Sequence, residues 1–200
     1  MYPIDPLSGG TWIGVNDSGL AAAVLNRRPS PAPARRAATL SRGVIVPALL
    51  GCRSIDAAVE AIDALDCRLF EPFTVVLADR TRGVSFRSGS TRCTRKSFDV
   101  SAPQLFTSSS LGDRIVEPPR RLLFERLILR AADRLAGQFR FHRHQWADAQ
   151  HVSVCMRRDD AATVSRTTID LGASGVRIAY AAPPAVMADG SELMANGRST

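Results

Sequence analysis

The spacing of apolar positions changes period several times along the chain, and each change marks an element. "TWIGVN" (11–16) carries β-favouring residues, and Asp17-Ser18-Gly19 has the chemistry of a tight turn. The apolar run Leu20–Leu25 that follows has the length of a buried strand and stops at Asn26. A hairpin is therefore predicted close to Met1. Residues 27–40 are interrupted by prolines, which block helix and ladder alike, and predict a surface loop. After Ser41-Arg42-Gly43, "VIVPALLG" predicts a short helix. Ser54 is placed to cap a second one, in which Ile55, Ala58, Val59, Ile62 and Leu65 recur at helical spacing. "FTVVLAD" (73–79) and "GVSFRSG" (83–89) predict a strand pair across Arg80-Thr81-Arg82, with further strands at 93–100 and 104–108.

Pro118-Pro119 is the expected start of an amphipathic helix, because proline is tolerated in a first helical turn. Phe124, Leu127, Ile128, Ala131 and Leu135 then fall on one face, and Arg121, Glu125, Arg126 and Asp133 on the other. "HVSVCMRR" (151–158) and "SRTTIDL" (165–171) predict strands, and Asp170–Gly175 turns the chain into "VRIAYAA". From Pro183 no period survives, so 183–200 is expected to be a flexible tail to a single domain spanning 1–182. Strands arriving as hairpins, with helices grouped between them, predict an α+β fold with antiparallel sheets in preference to a wound βαβ sheet.

Composition narrows the function classes. At 45% hydrophobic and 22% charged, 200 residues suit one soluble globule. No apolar run reaches the roughly 20 residues of a membrane helix, so membrane insertion is not expected. The start, "MYPIDPLSGG", has neither the basic nor the apolar region of a signal peptide. The four cysteines form no CxxC pair, which points to free thiols and a cytoplasmic protein. The net charge of +7 is carried almost wholly by arginine, Lys96 being the one lysine, and is scattered in short doublets. With no helix-turn-helix or RNA-binding signature, nucleic acid is not an expected partner. His142, His144 and His151 lack the i, i+4 spacing of a helical metal pair. On a strand, His142 and His144 would share a face and make at most a weak metal or haem-iron contact. No metal or cofactor is expected.

Four blocks carry a family likeness: "PIDPLSGGTWIGVNDSGLAAAVLNRRP", "SRG" at 41–43, "LFTSSSLGDRIVEPPRRLLFE" at 105–125 and "VSRTTIDLGASGVRIAY" at 164–180. In this order, from about residue 3 to residue 182, they resemble the NRDE family, which includes the transport and Golgi organisation protein 2 group. The resemblance implies an αββα sandwich of the N-terminal-nucleophile hydrolase type. In that fold a cysteine following the initiator methionine attacks an amide carbonyl, its own amino group acting as base. Family members carry that cysteine and an Asn-Arg-Asp-Glu motif ahead of the "GGTW" hairpin. Here Tyr2 follows Met1, the first cysteine is Cys52, and no Asn-Arg-Asp-Glu occurs. The expectation is a member with its first strands missing, less stable for that loss and inactive as an amidase as given. The alternative is a non-catalytic binding or trafficking protein for haem or a lipid-like ligand.

The resemblance also suggests site residues. Asn26 would donate to an oxyanion, and Ser109, flanked by Ser108 and Ser110, would supply a second donor. Arg166 would orient a substrate carbonyl or carboxylate, and Trp12 and Asn16 would contact the ligand. Each has a plainer role open to it. Asn26 and the serines suit turn chemistry, Arg166 an ion pair, and Trp12 the core. The expected partner is a small molecule, either an amide or a haem- or lipid-like compound.

Overall fold

A computed structural model describes residues 1–6, 9–28, 38–89, 93–181 and 187–189. They fall into two compact units. The first comprises Met1–Gln104 and Thr167–Tyr180, and the second Leu105–Arg166 with the chain from Ala181 onward.

The first unit is built on a five-stranded antiparallel meander: β1 (Ile13–Val15), β2 (Ala21–Asn26), β3 (Phe73–Ala78), β4 (Gly83–Arg87) and β5 (Thr94–Phe98), adjacent in that order. The register aligns Val24 with Val75 and Phe86, and Ala22 with Leu77 and Val84, so one face becomes continuously apolar. Helices α1 (Ile45–Leu50) and α2 (Ile55–Asp63) cover that face with Ile45, Val46, Leu49, Ile55, Ala58 and Ile62. Ser54 caps α2 as expected, its hydroxyl accepting from the Ala57 amide. A separate hairpin pairs β7 (Arg166–Gly172) with β8 (Gly175–Ala181), turning through Gly175 at φ 127°.

In the second unit α3 (Asp113–Phe124) runs on through a π-helical turn, Glu125–Leu129, and α4 follows (Arg134–Arg143). The short strand β6 (His144–Trp146) pairs in parallel with β9 (Met187–Asp189). Val116, Leu123, Phe124, Ile128, Phe141, Trp146 and Val152 form the core. Gly137 is required where α4 meets the preceding turn, since a Cβ there would lie 1.9 Å from the Leu127 carbonyl oxygen.

The α+β class and the antiparallel main sheet follow the hydrophobic pattern, but several expected elements do not. The stretches 104–108 and 151–158 are not strands; the latter has only an isolated Arg157–Ala162 bridge. Their carbonyls are drawn elsewhere: buried Arg120 donates to Ser108, Val152 and Ser153. The third helix starts at Asp113, upstream of the two prolines, which sit inside it. It breaks at Arg130, where Asp133 caps a new helix, and Leu135 is left 75% exposed, off the expected apolar face. His142 lies in α4 and His144 in β6, so they share no strand. Within the expected tail, Met187–Asp189 is a strand, while 183–186 and 190–200 lie outside the described residues. So does 29–37 of the expected loop.

Candidate functional site

The hairpin β1–β2 has two ends, and they differ in kind. At the turn end Asn16 acts as a bracket. Its side-chain oxygen accepts from the Ser18 and Leu20 amides, and its amide donates to the Leu50 and Cys52 carbonyls. Two acceptor and two donor positions are thereby filled, which exhausts an asparagine side chain. Asn16 thus locks the turn onto the end of α1.

The opposite end is open. The Val24 amide donates to the Trp12 carbonyl, which sets Trp12 across from Val24 and on the same sheet face as Asn26, two residues further along β2. Trp12 is 43% exposed, so it is not the core residue its hydrophobicity allows. Asn26 is exposed at the strand's end, and its side-chain amide makes no hydrogen bond among the described residues.

Arginines gather at this same end. The Arg27 backbone amide donates to the Pro72 carbonyl, and its guanidinium donates to the Ser88 carbonyl at 2.6 Å. Arg42 donates to the Pro72 carbonyl at 3.0 Å. Burial lowers the Arg42 guanidinium from its ordinary value, the Glu71 carboxylate opposes this, and nearby Arg28 adds to it. The "SRG" block is held here by a backbone crossing. The Thr11 amide donates to the Gly43 carbonyl, and a Cβ on Gly10 would lie 2.8 Å from the Gly43 Cα. A Cβ on Gly43 would in turn lie 3.1 Å from the Gly10 Cα, so glycine at both crossing points eases the close approach of the lead-in to β1. Three stretches far apart in sequence, "GGTW", "NRR" and "SRG", therefore meet at one corner of the first unit.

The remaining candidates lie in the second unit. The Ser109 hydroxyl accepts from the Leu111 amide, and the Ser110 hydroxyl accepts from Arg158 at 2.7 Å. Ser108 contributes its carbonyl to Arg120. These are turn and tether contacts leading into α3. Arg166 places its guanidinium 4.2 Å from the centre of the Phe139 ring, a cation–π contact, and makes no ion pair among the described residues.

Sequence reasoning missed Arg120, Arg27 and Arg42. Arg120 is 7% exposed and spans Thr107, Ser108, Val152 and Ser153 with no carboxylate among these contacts. Burial, with Arg158 nearby, lowers it to about 10. A separate cleft of about 480 Å³ lies at the turn end of the sheet, lined by Met1, Asp17, Asp79 and Arg80 among others. Asp79 in its wall is engaged by Thr81 and Arg82. Among the described residues no group of three or more metal-ligating side chains occurs, and no helix is long and apolar enough to cross a membrane.

No curated protein matches the chain. A family model described as "Transport and Golgi organisation 2" matches residues 1–114, which takes in Trp12, Asn16, Asn26, Arg42 and the serine run and leaves Arg166 outside. That match spans more than half of the 200 residues, and the chain belongs to the Transport and Golgi organisation 2 family.

Proposed function

We propose that this chain is a non-catalytic, binding member of a hydrolase-derived lineage. It holds an amphipathic small molecule bearing a carboxylate, of the haem or fatty-acid kind, at the Trp12–Asn26–Arg42 corner. The observation that carries this reading is the convergence of an exposed indole, an amide with no partner among the described residues, and arginines 27, 28 and 42 at one end of one sheet. An indole presents flat apolar surface, a guanidinium offers forked donors to a carboxylate, and the Asn26 amide adds a neutral donor.

The thiol contact between Cys67 and Cys93 involves none of Trp12, Asn26 and Arg42, which supports binding over turnover. The Cys52 carbonyl is held by Asn16 at the turn end. Cys93 precedes β5, three strand spacings or roughly 14 Å from the β2 strand that ends at Asn26. Cys155 belongs to the second unit, and burial pushes its thiol up. The sandwich implied by the resemblance is part of the same proposal. The sheet face not covered by α1 and α2 carries Ala21, Ala23, Val76 and Ala78, small and half-buried, as suits a face receiving a second layer.

The test is titration of the full chain with hemin, followed at the Soret band, and with a long-chain fatty acid, followed by tryptophan fluorescence. Trp146 is buried, so Trp12 is the reporter, and Trp12→Phe identifies its signal. The expected result is saturable binding of at least one of them, on the order of micromolar. Asn26→Ala and Arg42→Gln should each weaken it about tenfold, the scale of one hydrogen bond to a charged group. No saturable response to either compound, unchanged affinity in the double variant, or turnover of an acyl amide by the unaltered chain would each overturn the reading.

A further inference from the structure

We propose that Cys67 and Cys93 form a reversible intramolecular disulfide, making the edge of the main sheet a redox-modified site. The two residues are 26 apart in sequence and lie on different elements. Cys67 opens the 3-10 turn Cys67–Leu69 that follows α2, and Cys93 immediately precedes β5. Their sulfurs are 2.6 Å apart. That is inside the contact distance of non-bonded heavy atoms, about 3.5–4.0 Å, and roughly half an ångström from a sulfur–sulfur bond. Bond formation therefore needs little movement of either backbone. Cys52 and Cys155, the other thiols, differ in setting. Cys52 packs against the main core, as Cys67 does, but not against another sulfur, and Cys155 is buried in the second unit.

The chemistry has a direction. Burial, then the contact with Cys93, pushes the Cys67 thiol up to about 12, so it stays protonated and is the poorer first nucleophile. Cys93 is exposed and meets the oxidant first. With hydrogen peroxide as oxidant, the Cys93 sulfur takes one peroxide oxygen, the O–O bond breaks, and one water leaves behind a sulfenic acid. The Cys67 sulfur then bonds to the Cys93 sulfur. The S–O bond breaks, and the departing hydroxide takes the Cys67 proton as a second water. Two thiols lose two electrons and two protons, and one peroxide becomes two waters. A dithiol reductant reverses the bond by exchange.

The link would close a loop containing β3 and β4 and tie the end of the helix layer to the start of β5, an edge strand whose residues from Thr94 to Ser97 are all exposed. A loop of that length, constrained in the unfolded chain, should raise the melting temperature by roughly 5–10 °C.

The experiment treats the full chain with stoichiometric hydrogen peroxide, then counts thiols under denaturing conditions and maps peptides by mass. The expected result is a monomer that has lost the mass of two hydrogens, with Cys67 and Cys93 joined, and Cys52 and Cys155 still open to alkylation. Melting should rise on oxidation and fall back with dithiothreitol. Cys93→Ser changes one atom at an exposed position, is expected to leave the fold intact, and should abolish both changes. Three results would overturn the proposal: a sulfinic acid at Cys93 beside an alkylatable Cys67, a disulfide between two chains, or the same loss of two thiols in Cys93→Ser.

Discussion

In the first unit the largest fully buried side chains are Phe73, Phe86, Leu20 and Leu77. The ladder pairs β2, β3 and β4 around them, with the Leu20 and Phe73 amides held by the Asn16 and Ser88 side chains at its ends. In the second unit the buried set includes Arg120, His144, Gln145 and Ser153, and much of the backbone is irregular. There the side chains do what a ladder does elsewhere. Arg120 gathers the carbonyls of Ser108, Val152 and Ser153, Gln145 donates to the Cys155 carbonyl, and the Ser153 hydroxyl accepts from the Trp146 amide. The difference teaches that buried backbone must be paired one way or another, and that the route chosen decides which substitutions do damage.

The comparison is tested hardest in the apolar core. Phe86 is 1% exposed and sits on the β4 face under the helices, aligned with Val75. Phe86→Ala removes a large buried ring from a packed layer and should cost about 3–5 kcal/mol, read by urea denaturation. Hydrogen exchange should quicken first in β3 and β4. A cost below about 1 kcal/mol would mean that this core is not what holds the first unit together.

Arg120→Met comes next. It keeps an unbranched apolar stem and removes the donors to four acceptors, including the Thr107 hydroxyl. Part of the loss is offset, because a guanidinium buried without a carboxylate among its contacts is itself costly. The expected net cost is about 2–3 kcal/mol, the scale of unsatisfied buried acceptors. Exchange should rise at 105–110 and 150–155 while β3 amides stay protected. Equal loosening of both units would dissolve the distinction.

That distinction also explains what could be read from the chain. Elements stabilised by their own periodicity were legible. Alternation and Asp17-Ser18-Gly19 gave β1 and β2, and the helical spacing from Ile55 to Ile62 with the Ser54 cap gave α2. "HVSVCMRR" alternates like a strand, yet its carbonyls are claimed by an arginine more than 30 positions earlier. Nothing in "PPRRLLF" separates the buried Arg120 from the exposed Arg121. The prolines misled for a related reason. Gly112, at φ 107°, opens the helix early enough for both to lie within it. At the candidate site Asn26 was legible as a strand-ending amide. Its neighbours Arg27 and Arg42 were not, because they are assembled by the non-local crossing of Gly10 and Gly43.

The smallest effect separates polar groups that finish turns from polar groups that replace ladders. Asp79 closes the β3–β4 turn, where one carboxylate oxygen accepts from the Thr81 hydroxyl and from the Thr81 and Arg82 amides. Partial burial pushes this carboxyl up, but those three hydrogen bonds, with the Arg82 charge, outweigh it and hold the group below its ordinary value of 3.8. At neutral pH both folded and unfolded chains carry the charge, and the folded one gains from it. As pH falls below 3.8 the unfolded chain takes up its proton first, and the contribution is lost as pH falls through the folded value. Asp79→Asn keeps an acceptor oxygen for the turn amides and removes only the charge. It should cost a few tenths of a kcal/mol at neutral pH, as expected for a surface turn, and nothing once the pH is low enough to protonate both states. Paired denaturation curves from pH 7 to pH 2 would read this. A gap between the two proteins that widens in acid would show that the carboxylate opposes the turn, and the contrast between the units would lose its polar half.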